Sequence, residues 1–174
     1  HGAGEVRNVE ISDCVLWSDL AQVFEIGYET RCKSIRDVYV HDCTVLHALH
    51  LPVVSIHAGS EALITNIRYE DITVEQGNLH AYDPYLIDLW IGSSHWTGND
   101  RRGSIDGVRI KDMTFLSGSF EANRIAGHDA DHGGTNVTIE NLRILDKRVL
   151  GAEDGQFRIN EHVDNVEFMP GPNE

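Results

Sequence analysis

Acid, imidazole, indole and guanidinium groups recur in short runs where apolar and polar residues alternate. Glu25 lies in Phe24-Glu25-Ile26, and Ser55 and His57 in Val54-Ser55-Ile56-His57. Asp88 and Trp90 lie in Asp88-Leu89-Trp90-Ile91, Arg124 in Asn123-Arg124-Ile125, and Arg158 in Phe157-Arg158-Ile159. Period-two alternation puts such polar residues on one face of a strand and their apolar neighbours on the other. An acid, an exposed indole and two guanidiniums on one face suit a sugar chain. Trp stacks on the apolar face of a pyranose ring, and Arg holds carboxylates through two parallel hydrogen bonds. Cleaving a glycosidic bond takes two carboxyl groups about 5–9.5 Å apart. Glu25, Asp19 and Asp88 are the candidates for that work, with Glu29 behind them as a loop charge. Trp90, Arg124, His57, Trp96, His95 and Arg158 are the candidates for holding substrate. The plain alternative is a solvated sheet face edged by turn residues.

Histidines also cluster, at His41, His47, His50 and His57, and again at His128 and His132. The second group lies in GHDADHGG, where His128, Asp129 and Asp131 are weak candidates for a divalent cation. No zinc-ligand spacing is met, and loop solvation explains the same residues. No cofactor is required, and a divalent cation is the one the sequence leaves open.

These runs belong to a repeat. VRNVEISDCVLW from Val6, IRDVYVHDCTVL from Ile35, ITNIRYEDITVE from Ile64, IDGVRIKDMTFL from Ile105 and GTNVTIENLRIL from Gly134 align without gaps, and a shorter copy starts at His162. The turn-forming position falls at Asn8, Asp37, Asn66, Gly107, Asn136 and Asn165, with spacings of 29, 29, 41, 29 and 29. Each repeat has a turn-former that tolerates left-handed backbone, a short alternation, a polar bend at Asp13, Asp42, Asp71, Asp112 or Asn141, and a second alternation. After a loop comes the third. Three short strands per repeat with polar corners predict an all-β fold, a right-handed parallel β-helix of five to six coils spanning 1–174 as one domain. The extra 12 residues form an insertion at 76–104, HAYDPYLIDLWIGSSHWTGNDRRG among them, and long insertions in solenoids build the walls of binding sites. Leucine-rich repeats share the period but need an L-x-x-L-x-L frame that is missing here, and a propeller blade needs four antiparallel strands.

The fold predicts columns, because equivalent residues in stacked coils lie about 4.8 Å apart. Cys14, Cys43, Ile72, Met113 and Leu142 form one inward column. Ile26, Ile56, Ile91, Ile125 and Ile159 form another. Glu25, Ser55, Trp90, Arg124 and Arg158 form the outward column. Cys14 and Cys43 are then stacked core thiols that stay reduced.

The formal net charge of −14 repels phosphate backbones and excludes nucleic acid as a partner. No apolar run approaches the length of a membrane span. Three cysteines do not make a disulfide framework.

The repeated turn-V-x-I-x-D-C frame resembles the pectin-lyase-like right-handed β-helix superfamily. CVLWSDLAQVFEIGYET, with the IRDVYVHDCTVLHALHLPVVSIHAG that follows, is most similar to bacterial members near the polygalacturonase-type glycoside hydrolases. The resemblance covers nearly the whole chain. It implies a secreted or periplasmic protein acting on a plant or microbial polysaccharide. The catalytic residues of the polygalacturonases do not carry over. Arg109-Ile110-Lys111 matches their R-I-K motif, but Gly127-His128-Asp129 follows it where their G-H-G turn precedes it. Their N-T-D motif and aspartate pair are missing. Nothing ahead of the first strand at about residue 9 covers the end of the stack, which is the expectation for the C-terminal coils of a longer protein whose exposed coil end self-associates. A glycoside hydrolase is the leading expectation. A non-catalytic carbohydrate-binding or structural module and a polysaccharide lyase are the alternatives.

Overall fold

The computed structural model describes residues 4–29, 31–80, 83–97 and 100–171. Ala81, Tyr82, Gly98 and Asn99 of the insertion lie outside the described residues. The first coil contains β1 (Glu5–Ser12), β2 (Val15–Ser18) and β3 (Phe24–Gly27), and the second β4 (Ser34–Ala48) and β5 (Val54–Ala58). The third contains β6 (Leu63–Val74), β7 (Gly77–Asn78) and β8 (Tyr85–Ile91), and the fourth β9 (Ser104–Phe115), β10 (Gly118–Ser119) and β11 (Ala122–Ala126). The fifth contains β12 (Gly134–Glu140), β13 (Arg143–Ile144), β14 (Lys147–Arg148) and β15 (Phe157–Ile159), and β16 (Val163–Met169) opens a sixth.

Equivalent strands pair in parallel from coil to coil. One sheet runs β1, β4, β6, β9, β12, β16 and carries the second-strand segments with it; the other runs β3, β5, β8, β11, β15. The chain is thus an all-β solenoid of about six turns. Among the described residues there is no helix, hence none long and apolar enough to cross a membrane.

The corners follow from residue type. Asn8, Asp37, Asn66, Asn136 and Asn165 have φ of 52–57°, and Gly107 has φ of 75°. At the bend, Asp13, Asp42, Asp71, Asp112 and Asn141 have φ of 50–54°. Left-handed backbone costs an ordinary L-residue about 1–2 kcal/mol, while Asn, Asp and Gly adopt it most readily. One such residue turns the strand without ending its pairing. The first two strand segments therefore fuse in β4, β6 and β9, where separate short strands were expected. At the first corner, side-chain amides bond from coil to coil, as in Asn66 Nδ2 to Asp37 Oδ1 (2.7 Å) and Asn165 Nδ2 to Asn136 Oδ1 (2.7 Å).

Inward columns fill the tube. Val38, Ile67, Val108 and Val137 are in register and buried, as are Val40, Tyr69, Ile110 and Ile139. Cys43, Ile72 and Met113 are buried in register, and Cys14 is half-buried at the end of that column. All three cysteines are free.

Two expectations need correction. In the five-stranded sheet, Glu25, Ser55, Asp88, Arg124 and Arg158 share the outward column, while Trp90 stands beside His57 and Ala126. Leu89, in place of Ile91, lies in register with Ile26, Ile56, Ile125 and Ile159, and Ile91 pairs with Ala58. A slip of two residues preserves which side chains face outward, so alternation alone cannot detect it. The 76–104 insertion is also not one loop. β7 and β8 lie inside it, and the extra length divides between the segments before and after β8.

Candidate functional site

The outward face of the five-stranded sheet carries one ionisable group per coil over four coils: Glu25 on β3, His57 on β5, Asp88 on β8 and Arg124 on β11. They bond in that order. Glu25 Oε1 lies 3.1 Å from His57 Nδ1, and His57 Nε2 lies 2.8 Å from Asp88 Oδ2. Arg124 grips the same carboxylate with both prongs, Nε to Oδ1 and Nη2 to Oδ2, each at 2.7 Å. The guanidinium is packed between the rings of Tyr85 (4.6 Å) and Trp90 (4.7 Å), and Asp83 approaches it at 3.8 Å. Negative and positive groups alternate along the stack, each about one coil spacing from the next.

This ladder is covered. Asp88 is 0% exposed and His57 2%. Tyr28 meets the His57 ring edge-on at 4.3 Å, and Trp90 does so at 5.6 Å. The chain reaches Tyr28 through Gly27 (φ 120°), where a Cβ would fall 1.9 Å from the carbonyl oxygen of His57. Glycine is what lets β3 close down on β5 at this point. Burial alone pulls the His57 imidazolium down, but hydrogen bonds to Asp88 and Glu25, and their charges, outweigh it and push it up to about 9. Burial likewise works against ionised Asp88, and hydrogen bonds from His57 and Arg124 hold it below the usual carboxylate range. Burial and the charges of Asp83, Glu25 and Asp88 push the Tyr28 phenol up to about 12.

Ser55 Oγ lies 3.2 Å from His57 Nδ1, which puts a serine, a histidine and an aspartate in contact. It is not a nucleophile site. Ser55 is wholly buried, and an imidazolium held to about 9 has no lone pair to take a proton at neutral pH.

Glu25 is the ladder's outer end, with its side chain 23% exposed. It lines a depression of about 310 Å³ with Gln22, Tyr28, Glu29, Leu51 and Trp96. Trp96 comes from the segment after β8. A tight turn fixes it: Ser94 N–H donates to Thr97 Oγ1 (2.7 Å), Trp96 N–H to Ser94 Oγ (3.2 Å) and Thr97 N–H to the Ser94 carbonyl (3.0 Å). His95 packs edge-on against the indole at 5.2 Å, and Trp96 is 55% exposed.

The structure thus brings Glu25, His57, Asp88, Trp90 and Arg124 together, and sets Trp96 beside Glu25. Asp88 and His57 lie out of reach of a ligand on this face, because the outward direction of a side chain says nothing about what covers it. Asp19 is elsewhere: it accepts from Trp17 Nε1 (2.9 Å) and lies 3.5 Å from His47 Nε2. Arg158 pairs with Glu121 at 2.9 Å and lines a second depression of about 260 Å³ with Arg124, Ala126, Ile159 and Asn160. Asp129 Oδ1 is taken up by the backbone N–H groups of Asp131 and His132 and by His132 Nδ1 (2.8 Å), and His128 stands off at 3.9 Å. Among the described residues no group of three or more His, Cys, Asp or Glu is placed to hold a metal ion. Sequence reasoning missed Tyr28, Gln22 and Leu51, which lie off the strand alternation. The Gly-Tyr pair at the end of β3 was the one signal for Tyr28.

Compared with models of known protein families the chain matches none, and comparison with curated proteins gives no match.

Proposed function

We propose that the outward face of the five-stranded sheet binds a polysaccharide, with one sugar ring held in the depression between Trp96, Tyr28, Glu25 and Glu29. One observation carries this reading: the insertion delivers a half-exposed indole to a depression that two carboxylates also line. An indole supplies a stacking surface and the carboxylates accept from hydroxyls, which are the two things a pyranose asks of its site. On this reading the protein is a carbohydrate-active solenoid, a glycoside hydrolase whose two acids are Glu25 and Glu29, working on polysaccharide outside the cell. Asp88 has no part in the chemistry, since both its oxygens are engaged. The ladder is the scaffold that holds Glu25.

A binding module without hydrolysis is the second reading, and the Glu25–His57 bond favours it. Glu25 Oε1 is already engaged by the buried His57 ring, which leaves this carboxylate only its other oxygen for a substrate. One experiment separates the readings. The chain is titrated against soluble polysaccharides, and reducing ends are assayed in the same samples. Binding that Trp96→Ala weakens about tenfold or more supports the site. Sugar release abolished by Glu29→Gln supports hydrolysis, and binding without release supports the module. Binding indifferent to Trp96 refutes both.

A further inference from the structure

We infer that the depression beside Trp96 takes a sugar bearing a free amine, such as a glucosamine unit, and rejects uronic acids. This rests on the carbohydrate reading of the same depression. Its lining residues are Gln22, Glu25, Tyr28, Glu29, Leu51 and Trp96, two carboxylates and no Lys or Arg among the described residues. Behind Tyr28 stands a third carboxylate, Asp83, 3.5 Å from the phenol oxygen. Of the positive groups on the sheet face behind the depression, His57 is buried between Glu25 and Asp88, and half-buried Arg124 is clamped on Asp88. On the same face, Arg158 is matched by Glu121. The charges in the lining itself are those of Glu25 and Glu29, and the whole chain adds to them with its net charge of −14. An ammonium on a stacked ring meets two carboxylate acceptors and the π face of an indole, which attracts cations. A uronate carboxylate meets only like charge. A neutral sugar keeps the stacking and loses the ion pairs.

The test uses the whole chain and three probes of equal length: a glucosamine oligomer, its fully N-acetylated counterpart and an oligogalacturonate. Affinities are measured by calorimetry at mildly acidic pH, where the amines are charged, in low and in high salt. The amine oligomer should bind on the order of tenfold tighter than the acetylated one, with the gap closing at high salt and oligogalacturonate not binding. Glu29→Gln should narrow that gap to about threefold. Glu29 is exposed, so the variant keeps its fold, which circular dichroism checks. Equal or tighter binding of the acetylated oligomer, still lost in Trp96→Ala, overturns the charge preference and leaves the sugar site standing. Amine binding unchanged in both Trp96→Ala and Glu29→Gln is bulk attraction to an acidic protein and overturns the inference. Failure of all three probes overturns it too, and the wider polysaccharide titration then decides whether the sugar site survives.

Discussion

Raising the pH from 6.5 to 9 should remove about 3 kcal/mol of stability through one side chain. His57 has an ordinary value of 6.5 and is pushed up to about 9 in the fold. Between those values the native state keeps a proton that the unfolded chain has released. Stability from this group is complete below pH 6.5 and is lost as pH rises through about 9, at a slope of about 1.4 kcal/mol per pH unit. The groups packed on the imidazole are Glu25, Asp88, Tyr28, Trp90 and Ser55, and the two carboxylates outweigh the burial that opposes the charge. His41 titrates in the same direction, and the Cys32 and Cys43 thiols, raised by burial, add their own loss above pH 9. The parent is therefore compared with His57→Gln, which keeps a polar side chain there and cannot titrate. Urea unfolding followed by tryptophan fluorescence gives both curves. The parent's stability advantage over the variant should shrink by about 3 kcal/mol from pH 6.5 to 9. A constant difference across that range would refute a protonated His57, and with it the alternating ladder.

Three further outcomes can be checked. Gly27→Ala should destabilise the fold by at least about 2 kcal/mol in urea unfolding, because its Cβ would strike the His57 carbonyl and its φ is 120°. A variant within 0.5 kcal/mol of the parent, as for a neutral surface change, would show that β3 and β5 do not meet so closely. Asp71 is exposed and left-handed (φ 51°), so Asp71→Val should cost about 1–2 kcal/mol while Asp71→Gly is neutral or stabilising; equal effects would count against the bend geometry. The first coil exposes Val15, Trp17 and Leu20, so light scattering should show concentration-dependent association of the chain, reduced in Val15→Lys/Leu20→Lys. A monomer at every concentration would remove that surface as an interface.

The coil period and its corners were legible because left-handed backbone admits few residue types, so Asn, Asp and Gly repeat visibly from Asn8 to Asn165. The inward faces were legible because alternation survives any even slip. That same invariance hid which residue of β8 shares the column of Glu25, Ser55 and Arg124: it is Asp88 and not Trp90. The β13–β14 hairpin was also invisible. It turns through Leu145 and Asp146 at φ of 49° and 66°, and a Leu-Asp pair carries no turn signature. The burial of His57 and Asp88 depends on Tyr28, Trp90 and Arg124 folding over them, a coincidence of three coils that no single repeat encodes.

The one break in the 29-residue spacing is also what brings Trp96 to the depression. Trp96 follows the third coil's last strand, yet it lines a surface with Gln22, Glu25, Tyr28 and Glu29 of the first coil and Leu51 of the second. A coil of regular length keeps its side chains at its own level, so reaching back takes about two coil spacings, roughly 10 Å. A handful of extra residues spans that distance and returns, at about 3.3 Å each when extended. The loop after β8 is therefore separable from the core. Replacing residues 93–100 with a short Gly/Ser turn should change stability by no more than about 1 kcal/mol, since loop length enters closure entropy only logarithmically. Buried Arg102, which bonds the Gly59 and Arg101 carbonyls, is left in place. The same variant should lose sugar binding as fully as Trp96→Ala does. A loss of several kcal/mol in urea unfolding would make the loop part of the structural core and remove the reason for assigning it to ligand. Unchanged binding in a well-folded variant would move the site away from the first coil altogether.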